Sequence, residues 1–234
     1  DAARIRCGPG ESVGAFVRLT GHAESDSNDG LVRPRTVIVR RGPTPGMSDW
    51  RLVESVVEYE TGWYTGGYDL LEQPDGSEKR YYWAELPPAA IVVAILDGEE
   101  AGGGAGGDGD REIVFVEQFR PTVGETFLEL PAGIVEDGES FAEAGVRELA
   151  EETGYRAGEA TTVETFWVAT GVLRHRRGIV VAEDLEPGEV DHDGNEFLSV
   201  TTRPVEEALT AAREEPTSDA TLEGLLLAGD DGFL

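Results

Sequence analysis

The segment Ser140 to Thr153 constrains the chain more than any other, because it places three carboxylates on one turn of a helix. Ser140, with Glu143 three residues later, has the spacing of a capping box, and Gly154 stands where a left-handed residue ends a helix. Between these stops lies Arg147-Glu148-Leu149-Ala150-Glu151-Glu152. At about 3.6 residues per turn, Glu148, Glu151 and Glu152 fall at i, i+3 and i+4 on a common face. Like charges at that spacing repel, and the dipole disfavours anions near a helix C-terminus. A compensating cation is therefore expected. Hard divalent ions such as Mg²⁺ or Mn²⁺ take oxygen ligands of this kind, together with water and substrate phosphates. The competing reading is a solvated acidic face, since the chain carries 47 Asp plus Glu against 19 Lys plus Arg.

The residues before the helix favour a site. Glu129-Leu130-Pro131-Ala132-Gly133 brings a strand end to a glycine, and Ile134-Val135-Glu136-Asp137-Gly138-Glu139 leads into the helix. From Gly133 the chain runs five residues to Glu139 and seven more to Arg147-Glu148-Leu149-Ala150-Glu151-Glu152-Thr153-Gly154-Tyr155. It thereby resembles the Nudix box, G-x5-E-x7-R-E-U-x-E-E-x-G-U with U apolar or aromatic, at every fixed position.

That resemblance implies a Nudix hydrolase, an α/β protein built as an α/β/α sandwich with a mixed sheet, which cleaves a nucleoside diphosphate linked to another group. It implies two or three Mg²⁺ or Mn²⁺ per site, with Glu148, Glu151, Glu152 and the Ala132 carbonyl as metal ligands. Arg147 would pair with a box carboxylate to orient it, Glu139 would join that network, and Gly133 and Gly154 would be structural turns. The Leu130-Pro131-Ala132-Gly133 entry and Val116-Glu117-Gln118-Phe119-Arg120-Pro121 are similar to the ADP-ribose pyrophosphatase branch. In that branch a β-rich N-terminal extension serves dimerisation, so a homodimer is implied, and the general base comes from a loop after the box. The matching place is Asp191 to Phe197, where Glu196 is the expected base, with Glu151 and Asp193 as alternatives. One departure is that Val168-Ala169-Thr170-Gly171 lacks the proline common in the branch. ADP-ribose leads as substrate, while another nucleoside diphosphate derivative stays open.

Substrate contacts are expected from arginines. Arg120 leaves a buried strand before Pro121 and suits a phosphate, or else a surface ion pair. Arg174-His175-Arg176-Arg177 is the one dense basic run, and Arg174 and Arg176 are read as phosphate or ribose contacts, against a salt-bridged surface turn. Trp63, Tyr64 and Tyr68 offer faces for base stacking, whereas Trp50 and Trp83 are expected in the core.

Composition narrows the partners. The formal charge of −28 repels polyanions and anionic lipid alike, which excludes general nucleic-acid binding and membrane-surface attachment. Lys79 is the sole lysine, and an Arg-based, strongly acidic chain suits a salt-rich cytoplasm, that of a halophile, where charges are screened within about 3 Å at molar ionic strength. With 39% apolar residues the chain can build a core. A lone Cys7 and three scattered histidines give neither a disulfide nor zinc spacing, and no stretch approaches the about 18 apolar residues of a membrane helix. A cytoplasmic location is expected.

Along the chain, residues 1–85 read as a β-rich extension and 86–234 as the catalytic domain with C-terminal helices. Strands are expected at Val37–Arg40, Trp50–Tyr59, Lys79–Ala84, Ala90–Leu96, Ile113–Val116, Thr161–Thr170, Gly178–Ala182 and Phe197–Thr202. Helices are expected at Pro204–Arg213 and Ser218–Ala228, and the glycine-rich 98–110 as a hairpin tip. A non-catalytic nucleotide-sensing regulator with the same fold, or a purely structural acidic domain, would be the alternatives to an enzyme.

Overall fold

The computed structural model describes residues 49–98, 111–188 and 197–234, with two short antiparallel strands, β1 (Phe16–Val17) and β2 (Val39–Arg40). There follow β3 (Arg51–Glu60), β4 (Thr65–Glu72), β5 (Glu78–Glu85), β6 (Ala89–Leu96), β7 (Glu112–Arg120), β8 (Glu125–Glu129) and β9 (Ala132–Ile134). After these come α1 (Phe141–Thr153), β10 (Tyr155–Trp167), β11 (Leu173–Arg174), β12 (Arg176–Pro187), β13 (Leu198–Pro204), α2 (Val205–Ala212) and α3 (Asp219–Asp230). Two compact units result: one of residues up to Pro87 together with Trp167–His175, the other of Pro88–Phe166 and Arg176–Leu234. The expected glycine-rich hairpin tip lies mostly outside the described residues.

In the first unit β3, β4 and β5 form an antiparallel meander, and β11 adds to β5 in parallel. Thus Trp167–His175, in sequence part of the C-terminal half, packs with the N-terminal one. Its turn is set by Ala169, at φ 44, whose carbonyl accepts from the N–H groups of Val172 and Leu173 at 2.9 Å. Strand β4 includes Gly66 and Gly67, where side chains have no room: a Cβ would stand 2.1 Å from the Tyr59 ring at Gly66 and 1.9 Å from the Val56 carbonyl oxygen at Gly67. Asp69 ties the unit together. Its carboxylate accepts from Ser55 Oγ at 2.6 Å, Trp83 Nε1 at 3.0 Å and Arg174 Nη2 at 2.6 Å.

The second unit is built on a mixed sheet of described strands in the order β10-β12-β6-β7-β13, with β8 beside β7 and β9 beside β6. Strands β6 and β12 run parallel and are apolar at successive positions because helices cover both faces. Alternation sorts the side chains. Ile91, Val93, Ile95, Ile179, Val181, Ile113 and Phe115 pack against Ala208 and Ala212 of α2 and Leu225 and Ala228 of α3. Val92, Ala94, Leu96, Val114 and Ala182 meet Leu149 of α1, while Ala90 and Val180 meet Ala144. This is the expected α/β/α sandwich. Leu149 is completely buried between helix and sheet, and truncating such a residue to Ala costs about 2–5 kcal/mol. The large faces therefore fix α1, and with it the carboxylates, to the sheet.

Candidate active site

Both ends of α1 form as the sequence dictates. Ser140 accepts from the Glu143 N–H while the Glu143 carboxylate accepts from the Ser140 N–H, and Gly154 closes the helix at φ 77. Hence the register of the intervening turn is fixed. Glu148 and Glu152 are only 8% and 6% exposed, while the Glu151 side chain is 45% exposed. Carboxylates are almost never buried so far without partners, and this excludes a merely solvated acidic face.

Arg147 supplies much of the pairing, with all five N–H donors engaged. Nε and Nη2 grip the two oxygens of Glu139 at 2.9 and 3.1 Å, Nη2 also donates to the Ile134 carbonyl at 2.8 Å, and Nη1 donates to Glu148 at 2.8 Å and Glu151 at 3.0 Å. The hydrogen bonds to Glu139, then those to Glu148 and Glu151, hold the guanidinium pKa above its already high ordinary value, outweighing desolvation. In turn Arg147, seconded by the Glu136 N–H, holds the Glu139 carboxyl below the usual carboxylate range.

Strand β9 brings a second set of restraints to the same carboxylates. Its pairing with β6 sets Ala132 opposite Ile91, and the Ala132 N–H donates to Glu152 Oε2 at 3.1 Å. At Gly133 a Cβ would stand 1.9 Å from Cδ of Glu148. Gly133 is not the turn that the sequence suggested: it lies in β9 without a positive φ, and its missing side chain makes room for Glu148. Gly154 is the expected turn.

Among the described residues no three or more His, Cys, Asp or Glu close into a cage for a metal ion. The donor set nevertheless fits a hard divalent cation: the carboxylates of Glu148, Glu151 and Glu152 are oxygen donors, beside the Ala132 backbone and over a cradle that a Cβ at Gly133 would fill. Mg²⁺ in particular is commonly held by one or two carboxylates plus water and phosphate rather than by a full protein cage.

The remaining sequence candidates fall in several places. Arg120 Nε donates to Glu129 at 2.7 Å. Arg176 is exposed, donates to Thr165 Oγ1 at 2.7 Å and lies over the Phe141 ring. Arg174 belongs to the first unit, ion-paired with Asp69 and stacked 3.9 Å above the Trp83 ring centroid. Glu196 and Asp193 lie outside the described residues. Trp83 is buried, whereas Trp63 is 81% exposed. Sequence reasoning missed the Ile134 carbonyl as an Arg147 acceptor and the buried Thr221, which a hydroxyl among the apolar positions of α3 could have signalled.

Residues 86–224, more than half of the chain, match the family described as NUDIX domain. The chain belongs to the Nudix family. Among its relatives, the ADP-ribose pyrophosphatase of Bacillus subtilis (strain 168) is 31% identical over 154 residues, which are 64% of this chain and 76% of that one. The ADP-sugar pyrophosphatase of Mus musculus is 34% identical over 128 residues, 50% of this chain and 58% of the relative. The crystal structure of an ADP compounds hydrolase shares the fold with a TM-score of 0.67 at 21% identity, covering 82% of this chain and 100% of that one. Its family and these relatives make the chain a hydrolase.

Proposed function

We propose that this Nudix hydrolase cleaves the diphosphate bond of ADP-ribose, giving AMP and ribose 5-phosphate, or that of a related nucleoside diphosphate derivative. The observation that carries the reading is the restrained set of Glu148, Glu151 and Glu152 beside Arg147, the first and last of them buried, and the names of the bacterial and mouse relatives support the substrate class. A complete carboxylate set favours turnover over nucleotide sensing without cleavage.

Glu148, Glu151, Glu152 and the Ala132 carbonyl would hold Mg²⁺ or Mn²⁺, two or three ions per site. Bound there, these ions supply neutralisation of the diphosphate and a water acidic enough to attack it. The protein's own contribution is orientation. Arg147 fixes one oxygen each of Glu148 and Glu151, is itself anchored by Glu139 and Ile134, and leaves the carboxylates little freedom to lose when substrate arrives. The Ala132 N–H does the same for Glu152. Glu196 is proposed to accept the proton of the attacking water; Glu151, the most exposed of the three helix carboxylates, and Asp193 are the alternatives.

Arg120 uses Nε for Glu129, so its Nη groups are proposed to meet a phosphate, with Arg176 as a second contact. A contact from Arg174 would be made alongside its pair with Asp69. The N-terminal β-rich part, residues 1–85, is proposed to serve a homodimer, and the acidic, Arg-based composition to suit a halophile's cytoplasm. Among the described residues no helix is long and apolar enough to cross a membrane.

A panel of ADP-ribose, other nucleoside diphosphate sugars and diadenosine polyphosphates, each incubated with Mg²⁺ or Mn²⁺ in low and molar salt, tests the reading. ADP-ribose is expected to give the highest kcat/KM, with AMP as product. Turnover of none of these compounds would contradict it.

A further inference from the structure

Thr221 is a polar residue on α3 with no exposed surface, on the sheet face opposite α1. Its Oγ1 accepts a hydrogen bond from the Leu130 N–H at 3.2 Å. Leu130 falls in the junction after β8 and before β9, so its N–H sits where neither strand of the ladder claims it, and Pro131 has no N–H to offer. α3 is shaped for this residue: a Cβ at Gly224 would stand 2.6 Å from Cδ1 of Leu130. α3 is in turn tied to β12 through Arg177, whose Nη1 reaches Glu223 at 2.5 Å and Asp219 at 3.4 Å.

Every residue of the junction then has a restraint. Leu130 N–H goes to Thr221, the Pro131 carbonyl accepts from Val92 N–H at 2.9 Å, Ala132 N–H goes to Glu152, and Gly133 lies against Glu148. The first of these comes from a helix outside the box, and the last two fix carboxylates of the site.

We propose that Thr221 is a positioning residue: by holding the Leu130 N–H from the far side of the sheet, it sets where the Ala132 backbone and, through it, the Glu152 carboxylate stand. This rests on the reading of Glu152 as a metal ligand. A hydroxyl is required because a valine of the same shape would leave a buried N–H without an acceptor, and the junction would move to find one.

The test compares Thr221→Val with Thr221→Ser. Amide hydrogen exchange in the metal-free protein is expected to quicken at Leu130 and Ala132 in the valine variant, with Val93 and Ile179 in the sheet unchanged. Mn²⁺ titrated alone and followed by electron paramagnetic resonance is expected to bind several-fold more weakly, less than the about 10–100-fold that follows from losing a partner bonded directly to a metal ligand. kcat is expected to fall with KM for ADP-ribose held, and serine to restore all three. Faster exchange at Leu130 alone with wild-type Mn²⁺ affinity would overturn the proposal. So would exchange quickened throughout the sheet and not restored by serine. Wild-type protein that binds Mn²⁺ yet cleaves no nucleotide would end the functional reading, while the exchange and Mn²⁺ results would still decide the role of Thr221.

Discussion

Glu148 lies so close over Gly133 that a Cβ there would stand 1.9 Å from its carboxyl carbon. The glycine is therefore required by a neighbouring side chain and not by its own backbone, which is ordinary strand. Gly133→Ala is predicted to displace the Glu148 carboxylate from both Arg147 and the site. Turnover should fall by about 10–100-fold, with a higher Mg²⁺ concentration for half-maximal rate. Steady-state kinetics over a Mg²⁺ series would show this, and wild-type kcat with an unchanged Mg²⁺ requirement would contradict it.

Arg147 spends all five donors on three carboxylates and one carbonyl, a pattern that depends on the planar fork of a guanidinium. Lysine keeps the charge but has one nitrogen with three donors. Arg147→Lys is thus predicted to lower stability by about 1–3 kcal/mol, in the range of charge-assisted hydrogen bonds lost from partly buried sites, and to lower kcat as well. Urea unfolding with an unchanged m-value reads the first effect. A variant as stable and as active as the parent would show that only the charge matters.

Acid should weaken the fold through Glu139. Its carboxyl titrates below the ordinary 4.5 because Arg147 and the Glu136 N–H favour the charged form. A lowered folded pKa means that the stabilisation is fully present above the unfolded value and is lost as pH falls through the folded one. Glu143, bonded at the Ser140 cap, acts with the same sign. Urea midpoints measured from pH 6 down to about pH 3 are predicted to fall more steeply for the wild type than for Glu139→Gln, which lacks one of these titrations. Parallel curves would remove Glu139 from the account.

The helix and its carboxylates were legible because local signals agree with the fold: a capping box at Ser140, a left-handed Gly154 and an apolar Leu149 facing the sheet. Strands β6 and β12 were legible as apolar runs for the same reason, each being covered on both faces. What escaped reading depends on partners distant in sequence. Gly66 and Gly67 look like breaks but lie inside β4, where the Tyr59 ring and the Val56 carbonyl leave room for nothing else. Gly133 looks like a turn for the same reason. Thr161 to Thr170 was expected as one strand, yet β10 ends at Trp167 and Ala169 turns the chain toward β11, which pairs with β5 more than 80 residues earlier in the sequence. Arg174 shows the consequence for partners: its basic run left a phosphate contact and a salt-bridged turn both open, and the partners it has include Asp69, Glu85 and Trp83.

The most direct test compares the wild type with Glu152→Gln, which keeps the volume and an oxygen for the Ala132 N–H while removing the charge. Calorimetric titration with Mg²⁺ or Mn²⁺ in molar salt, followed by ADP-ribose hydrolysis on the same samples, should show uptake and AMP formation for the wild type. For Glu152→Gln, whose melting temperature should be retained, it should show weakened uptake and no turnover. Equal metal binding and equal AMP production by the two proteins would contradict the claim that the carboxylates of α1 hold the cations that receive the diphosphate.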